Sequence, residues 1–293
     1  MTILDNINSS RLIPGDLTHA YRDPAVIYKD GVFRLYCTYV ETEPDGGVYM
    51  YTILTRSSDL VHWSEPVKLT PRDRSLNFSS PGDIVEHDGR YVMCLQTYCR
   101  ENGEKYGSER SRIYTMESRD LENWDEPHPI PVKGSVPIED LGRMIDPYLI
   151  YDRKTDLWNC FYKQNGVSRS VSHDLERWEY CGSFPGGENV SVIERDGEYI
   201  MFHSPENGIG MKRSNDLERW EDVGMPLTFG QKDWPWARGR LTAGFVLPYK
   251  DNGRLVYLMF FHGTGPQDER VDFDRNASLG LAWSYDLVNW EWK

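Results

Sequence analysis

One seven-residue pattern, Ser-x-Asp-Leu-x-x-Trp, occurs five times in this chain and constrains everything else that can be read from it. The copies are Ser57–Trp63, Ser118–Trp124, Ser172–Trp178, Ser214–Trp220 and Ser284–Trp290, with aspartates at 59, 120, 174, 216 and 286. Five recurrences of four fixed positions mark one supersecondary unit used five times. Ahead of each copy stands a short apolar run, a polar turn and an aromatic-rich run. AVIYKDGVFRLYCT and DIVEHDGRYVMCLQTY begin the series, then LIYDRKTDLWNCFYK, VSVIERDGEYIMFHS and GFVLPYKDNGRLVYLMFFHG. Two strands around a tight Gly-containing turn read as a β-hairpin; the third copy replaces the Gly with the longer polar turn Arg153-Lys154-Thr155-Asp156.

A third strand then runs into each repeat Ser, and the Asp-Leu-x-x-Trp turn leads to an outer strand. Each unit is thus a four-stranded antiparallel sheet, and five of them predict an all-β, five-bladed propeller. The repeated tryptophans are expected to pack between blades and not to bind ligand. Residues 1–20 lie outside the repeat and are expected to rest on the last blade and help close the ring. With no linker-like stretch, residues 1–293 read as one catalytic domain.

Charge narrows the partners. Thirty-three Lys and Arg against 46 Asp and Glu leave a net charge of −13, which repels phosphate backbones and anionic membrane surfaces. Nucleic acid and membrane partners are therefore not expected, and a neutral carbohydrate is. No apolar run approaches the ~20 residues that span a bilayer, and the start MTILDNINSSRLIPGDL lacks the basic and apolar regions of a secretory signal. The expectation is a cytoplasmic protein. Its five cysteines, 37, 94, 99, 160 and 181, form no CxxC pair and read as reduced thiols. No metal-ligand spacing stands out, and no cofactor is expected.

In a propeller the inner strands begin around a central channel, so polar residues there converge although distant in sequence. The inner-strand starts are Arg22-Asp23-Pro24, Ser80-Pro81-Gly82-Asp83, Ile145-Asp146-Pro147, Gly187-Glu188-Asn189 and Thr242-Ala243-Gly244. The order Asp-Pro, Asp-Pro, Glu in blades one, three and four resembles glycoside hydrolase family 43. RDPAVIYKDGVFRLYCT is similar to that family's first-blade pattern, and MIDPYLIYDRKTDLWNCFYK to its third. Its fourth-blade acid corresponds to Glu188, nine residues before Gly197. The resemblance covers the whole chain and implies a five-bladed glycosidase, inverting at the anomeric carbon. It makes Asp23 the general base, Glu188 the general acid and Asp146 the carboxylate that orients the acid and raises its proton affinity. Glycoside cleavage requires one protonated and one ionised carboxyl flanking the bond, and a neighbouring anion keeps an acid protonated.

Two departures stand out: Asn189-Val190 follows the acid where the family usually has Gly-Pro, and Ala243-Gly244 stands where relatives often carry a histidine holding a water or metal ion. Related five-bladed families keep alternatives open. These are a retaining fructan-type hydrolase with the first Asp as nucleophile, a mannoside phosphorylase, or a glycan-binding propeller without catalysis. The substrate class implied is an arabinofuranoside- or xyloside-like terminal sugar or neutral oligosaccharide. Candidate substrate contacts are Arg22, Asp83, Arg238, Arg240 and Trp236, since Arg suits bidentate contacts to carboxylates or hydroxyls. Glu194, Glu198 and Glu206 compete with Glu188 for the acid role, and His203 and His262 read as buried structural histidines.

Overall fold

The computed structural model describes residues 2–265 and 272–293. Twenty-one strands form five antiparallel sheets, the blades of a propeller. The four strands of blade 1 are His19–Lys29, Val32–Thr42, Val48–Ser57 and Val67–Lys68, paired in that order. Blades 2, 3 and 4 repeat this meander from inner strands Ile84–His87, Ile145–Asp152 and Glu188–Arg195. In blade 5, Arg240–Asp251, Arg254–Thr264 and Ser278–Ser284 pair in sequence. The fourth place is shared there by Trp290–Glu291 and by the N-terminal strand Arg11–Ile13, both paired to Ser278–Ser284. The early residues therefore close the ring as expected.

All five third strands end on the repeat Ser, and the turns that follow share one hydrogen-bond pattern. The Ser Oγ accepts the backbone N–H of the Asp in every copy, and in four copies that of the Leu. The Asp Oδ1 accepts the N–H groups two and three residues on. These bonds hold each Leu in the left-handed region, at φ between 61° and 67°, where a branched side chain rarely sits. Leu60, Leu121, Leu217 and Leu287 are buried in return.

The turn also joins blades. Trp124, Trp220 and Trp290 pack edge-on against Tyr36, Phe161 and Phe202 of the preceding blade. The residue after the Leu reaches back as well: Glu122 pairs with Arg34 and Arg56 of blade 1, and Glu218 with Arg169 of blade 3. The predicted packing role of the tryptophans holds. The five cysteines are free thiols, all buried except Cys181.

Candidate active site

Each inner strand breaks register near its start. The slips fall between Arg22 and Ala25, Ile145 and Tyr148, Glu188 and Ser191, and Thr242 and Phe245. Blade 2 does the same: Ser79 bridges Gln96, and regular pairing resumes at Ile84. At every break one residue is left-handed: Asp23 (φ 50°), Ser80 (48°), Asp146 (53°), Asn189 (49°) and Ala243 (55°). Pro24, Pro81 and Pro147 follow the first three, and a proline has no N–H to give to a ladder, so the chain bulges there. The five bulges are equivalent positions around the channel. They line a space of about 20 Å³, enough for a single water molecule.

Above them opens a cavity of about 500 Å³ lined by Asp23, Asp146, Glu188, Arg22, Arg143 and Arg240. Tyr98, Tyr106 and Phe273 form its aromatic wall, beside His262. The fold thus gathers the three predicted acids, with Arg22 and Arg240, into one site.

Their surroundings differ. Asp23 accepts a hydrogen bond from Thr38 Oγ1 at 2.8 Å and from Asn189 Nδ2 at 3.3 Å. Its backbone N–H donates to His262 Nδ1 at 3.1 Å, so that ring nitrogen is an acceptor. Burial, with Arg22 and Arg240 nearby, holds the His262 imidazole well below its usual range and therefore neutral. Asp146 is buried, and Ser80 Oγ donates to it at 2.8 Å. Burial first, then the charges of Glu188 and Asp23, push its carboxyl up to about 8. Asp146 therefore carries a proton at neutral pH. Glu188 is partly exposed and accepts from Arg240 Nη2 at 2.7 Å. Asn189 Nδ2 also reaches Ser80 Oγ at 3.4 Å, so a chain of side chains runs from Asp23 to Asp146.

Three predicted contacts lie elsewhere. Asp83 lines a separate cavity with Glu86 and Tyr151. The blade 2 bulge falls at Ser80, and three further residues carry the strand about 10 Å down the channel. Burial there pushes the Asp83 carboxyl up to about 7. Trp236 stacks on Trp234 and Phe261, in the packing of blade 5. Arg238 is exposed and donates to the Lys232 carbonyl at 3.4 Å. Of the competing glutamates, Glu206 lines an adjoining cavity and Glu194 the one that holds Asp83.

Sequence reading missed Tyr98, Tyr106, Arg143 and Phe273, which come from connections and not from inner strands. One signal was available. Residues 97–112 join the second and third strands of blade 2, where blade 3 uses only 164–166. Arg100 in this connection grips both oxygens of Asp274, at 2.8 and 2.9 Å. Among the described residues, no group of three or more His, Cys, Asp or Glu is arranged to hold a metal ion.

Comparison with known proteins agrees with this fold. No curated protein sequence matches the chain. Solved structures match throughout its length. The catalytic domain of a family-62 α-L-arabinofuranosidase from Coprinopsis cinerea superimposes with a TM-score of 0.66 at 14% identity, over 93% of this chain and 97% of that one. A thermostable family-43 glycoside hydrolase gives 0.64 at 16%, covering 94% and 93%. A family-43 β-1,3-galactosidase, solved with galactodeoxynojirimycin, gives 0.63 at 14%, covering 96% and 98%. At these identities the likeness speaks for the fold. The sequence itself matches the model of the glycosyl hydrolases family 32 N-terminal domain over residues 17–200, which span blades 1 to 3 and reach into blade 4. By that match the chain belongs to glycosyl hydrolase family 32 and is a propeller glycosidase.

Proposed function

We propose that the enzyme hydrolyses the glycosidic bond of a neutral terminal sugar, arabinofuranoside- or xyloside-like, with inversion. The observation that carries this reading is the convergence of three carboxyl groups on one cavity, with that of Asp146 pushed up to about 8. Asp23 is the general base: it accepts two side-chain hydrogen bonds, which leaves its carboxylate oriented to draw a proton from water. Glu188 is the general acid that protonates the leaving oxygen. Before substrate binds, the proton sits on Asp146 and Arg240 pairs with Glu188 at 2.7 Å. A sugar whose hydroxyls take over the Arg240 donors removes that pairing. Glu188 then gains the proton, and an ionised Asp146 beside it keeps it there by like-charge repulsion. The arabinofuranosidase and galactosidase named among the fold neighbours support the choice of a neutral sugar.

A second reading follows from the family match, because family 32 is not the family whose inverting roles were carried over. In it Asp23 is a nucleophile and the product keeps its configuration. The two readings differ in carboxyl separation, about 6.5–9.5 Å for inversion and about 5 Å for retention. Screening aryl furanosides and pyranosides, then following the product anomer by NMR, decides between them. Leaving-group dependence tests the acid. Glu188→Ala should lose about 10²–10⁴-fold on poor leaving groups and keep near-normal rates on acidic phenols. Equal losses on both would remove Glu188 from the acid role.

A further inference from the structure

A second cavity, of about 540 Å³, lies against the first and shares two residues with it, Glu188 and Arg240. Asp23 and Asp146 line only the first. We propose that this second cavity, between the edges of blades 3 and 4, is the subsite for the leaving group, and that it takes a neutral, hydroxyl-rich sugar residue. The assignment rests on the hydrolytic reading above. A proton donor must touch the oxygen that departs, while the base and its water act on the opposite face of the sugar being released. Of the three acids, Glu188 is the one that lines both of these cavities. The sugar that is attacked therefore lies in the first cavity with Asp23, and the group that departs lies beyond Glu188.

The lining of the second cavity defines what it can hold. Lys163, Lys212 and Arg240 face Glu188, Glu206 and Asp222, three cations against three anions. Lys212 is almost wholly buried, yet its ammonium already pairs with Asp222 at 2.7 Å. Burial, then the Lys212 charge, pushes the His203 imidazole down to about 4. That ring is neutral, and its Nδ1 accepts the Gly187 N–H at 3.0 Å. A balanced set of donors and acceptors offers no excess charge to an ionic ligand and many partners to hydroxyl groups. Among the described residues the lining includes no aromatic ring apart from this imidazole, so recognition runs through hydroxyl contacts and not through ring stacking.

Plugging the second cavity tests the assignment. Lys163→Trp and Pro185→Trp each place a bulky ring into it. The probes are the 4-nitrophenyl glycoside that the wild type turns over fastest and the fluoride of the same sugar. Fluoride needs no space beyond Glu188. In either Trp variant that melts like the wild type, kcat/KM for the nitrophenyl glycoside should fall at least ~10-fold while that for the fluoride stays within about threefold. Equal losses on both probes, or no loss on either, would overturn the assignment. If the wild type turns over no glycoside and no glycosyl fluoride, the hydrolytic reading itself fails and this subsite goes with it.

Discussion

The propeller repeats two kinds of turn five times each, and they have diverged in opposite ways. At the outer turns the side chains are fixed: Ser, Asp, Leu and Trp recur in every blade. Asp120, Asp174, Asp216 and Asp286 are all held below the usual carboxylate range, each chiefly by the backbone N–H three residues on. At the hub only the backbone is fixed. Five left-handed bulges within a few degrees of one another carry Asp, Ser, Asp, Asn and Ala. Where a repeat must satisfy its own main chain, the same side chain is needed each time. Where the bulge already supplies the geometry, the side chain is free to differ, and chemistry sits in the differences.

Substitutions can break this contrast. Asp23→Asn at the hub should cost about 10²–10⁴-fold in kcat on every substrate, whatever its leaving group. A loss confined to poor leaving groups would reverse the roles of Asp23 and Glu188.

Asp146→Asn should slow turnover less and stabilise the fold. The carboxyl rises from its ordinary 3.8 to about 8 on folding. Between those values the folded chain keeps a proton that the unfolded chain has released, so stability falls as pH rises from about 4 through about 8. The variant should therefore melt above the wild type at pH 7–8, with the gap closing towards pH 4. A gap that is constant with pH would show that Asp146 is not protonated in the folded site.

Asn189→Gly keeps the left-handed bulge, since glycine adopts it freely, but removes the amide between Asp23 and Ser80. Its kcat should drop by about tenfold with KM little changed, and an unchanged kcat would make Asn189 a spacer.

Asp216→Ala at the outer rim should leave kcat and KM alone and lower Tm by about 2–4 °C, the scale of one weakened turn in a chain of this size. Any loss of turnover there would mean that the rim is not merely scaffold.

The legible part of the sequence was the local part. The outer turn spans seven residues and its main chain is held by its own Ser and Asp, so its spelling and its structure coincide. Asp23, Asp146 and Glu188 could be placed because each lies near the start of an inner strand. Asp83 misled because the prolines mark where a bulge can form and not how far the strand runs beyond it. Trp236 misled because a tryptophan beside two arginines reads like a sugar platform, whereas its ring is taken up by Trp234 and Phe261. Tyr106 and Phe273, 6.2 Å apart on the cavity wall, sit in different blades, and no short-range pattern brings them together.

The closure of the ring bears on how such a chain reaches its fold. Blades 1 to 4 are built from consecutive strands, so each can form while the rest of the chain is disordered. Blade 5 is different: Ser10 Oγ accepts from the Lys293 N–H at 2.8 Å across 283 positions, and Arg11–Ile13 pairs with Ser278–Ser284. The loop-closure cost grows only logarithmically with length, but the search for so distant a partner is slow. Until the early strand arrives, Ser278–Ser284 presents an open edge along much of its length, a template for strands of other chains. The latch that completes the propeller is therefore also the step at which its folding is most exposed to aggregation.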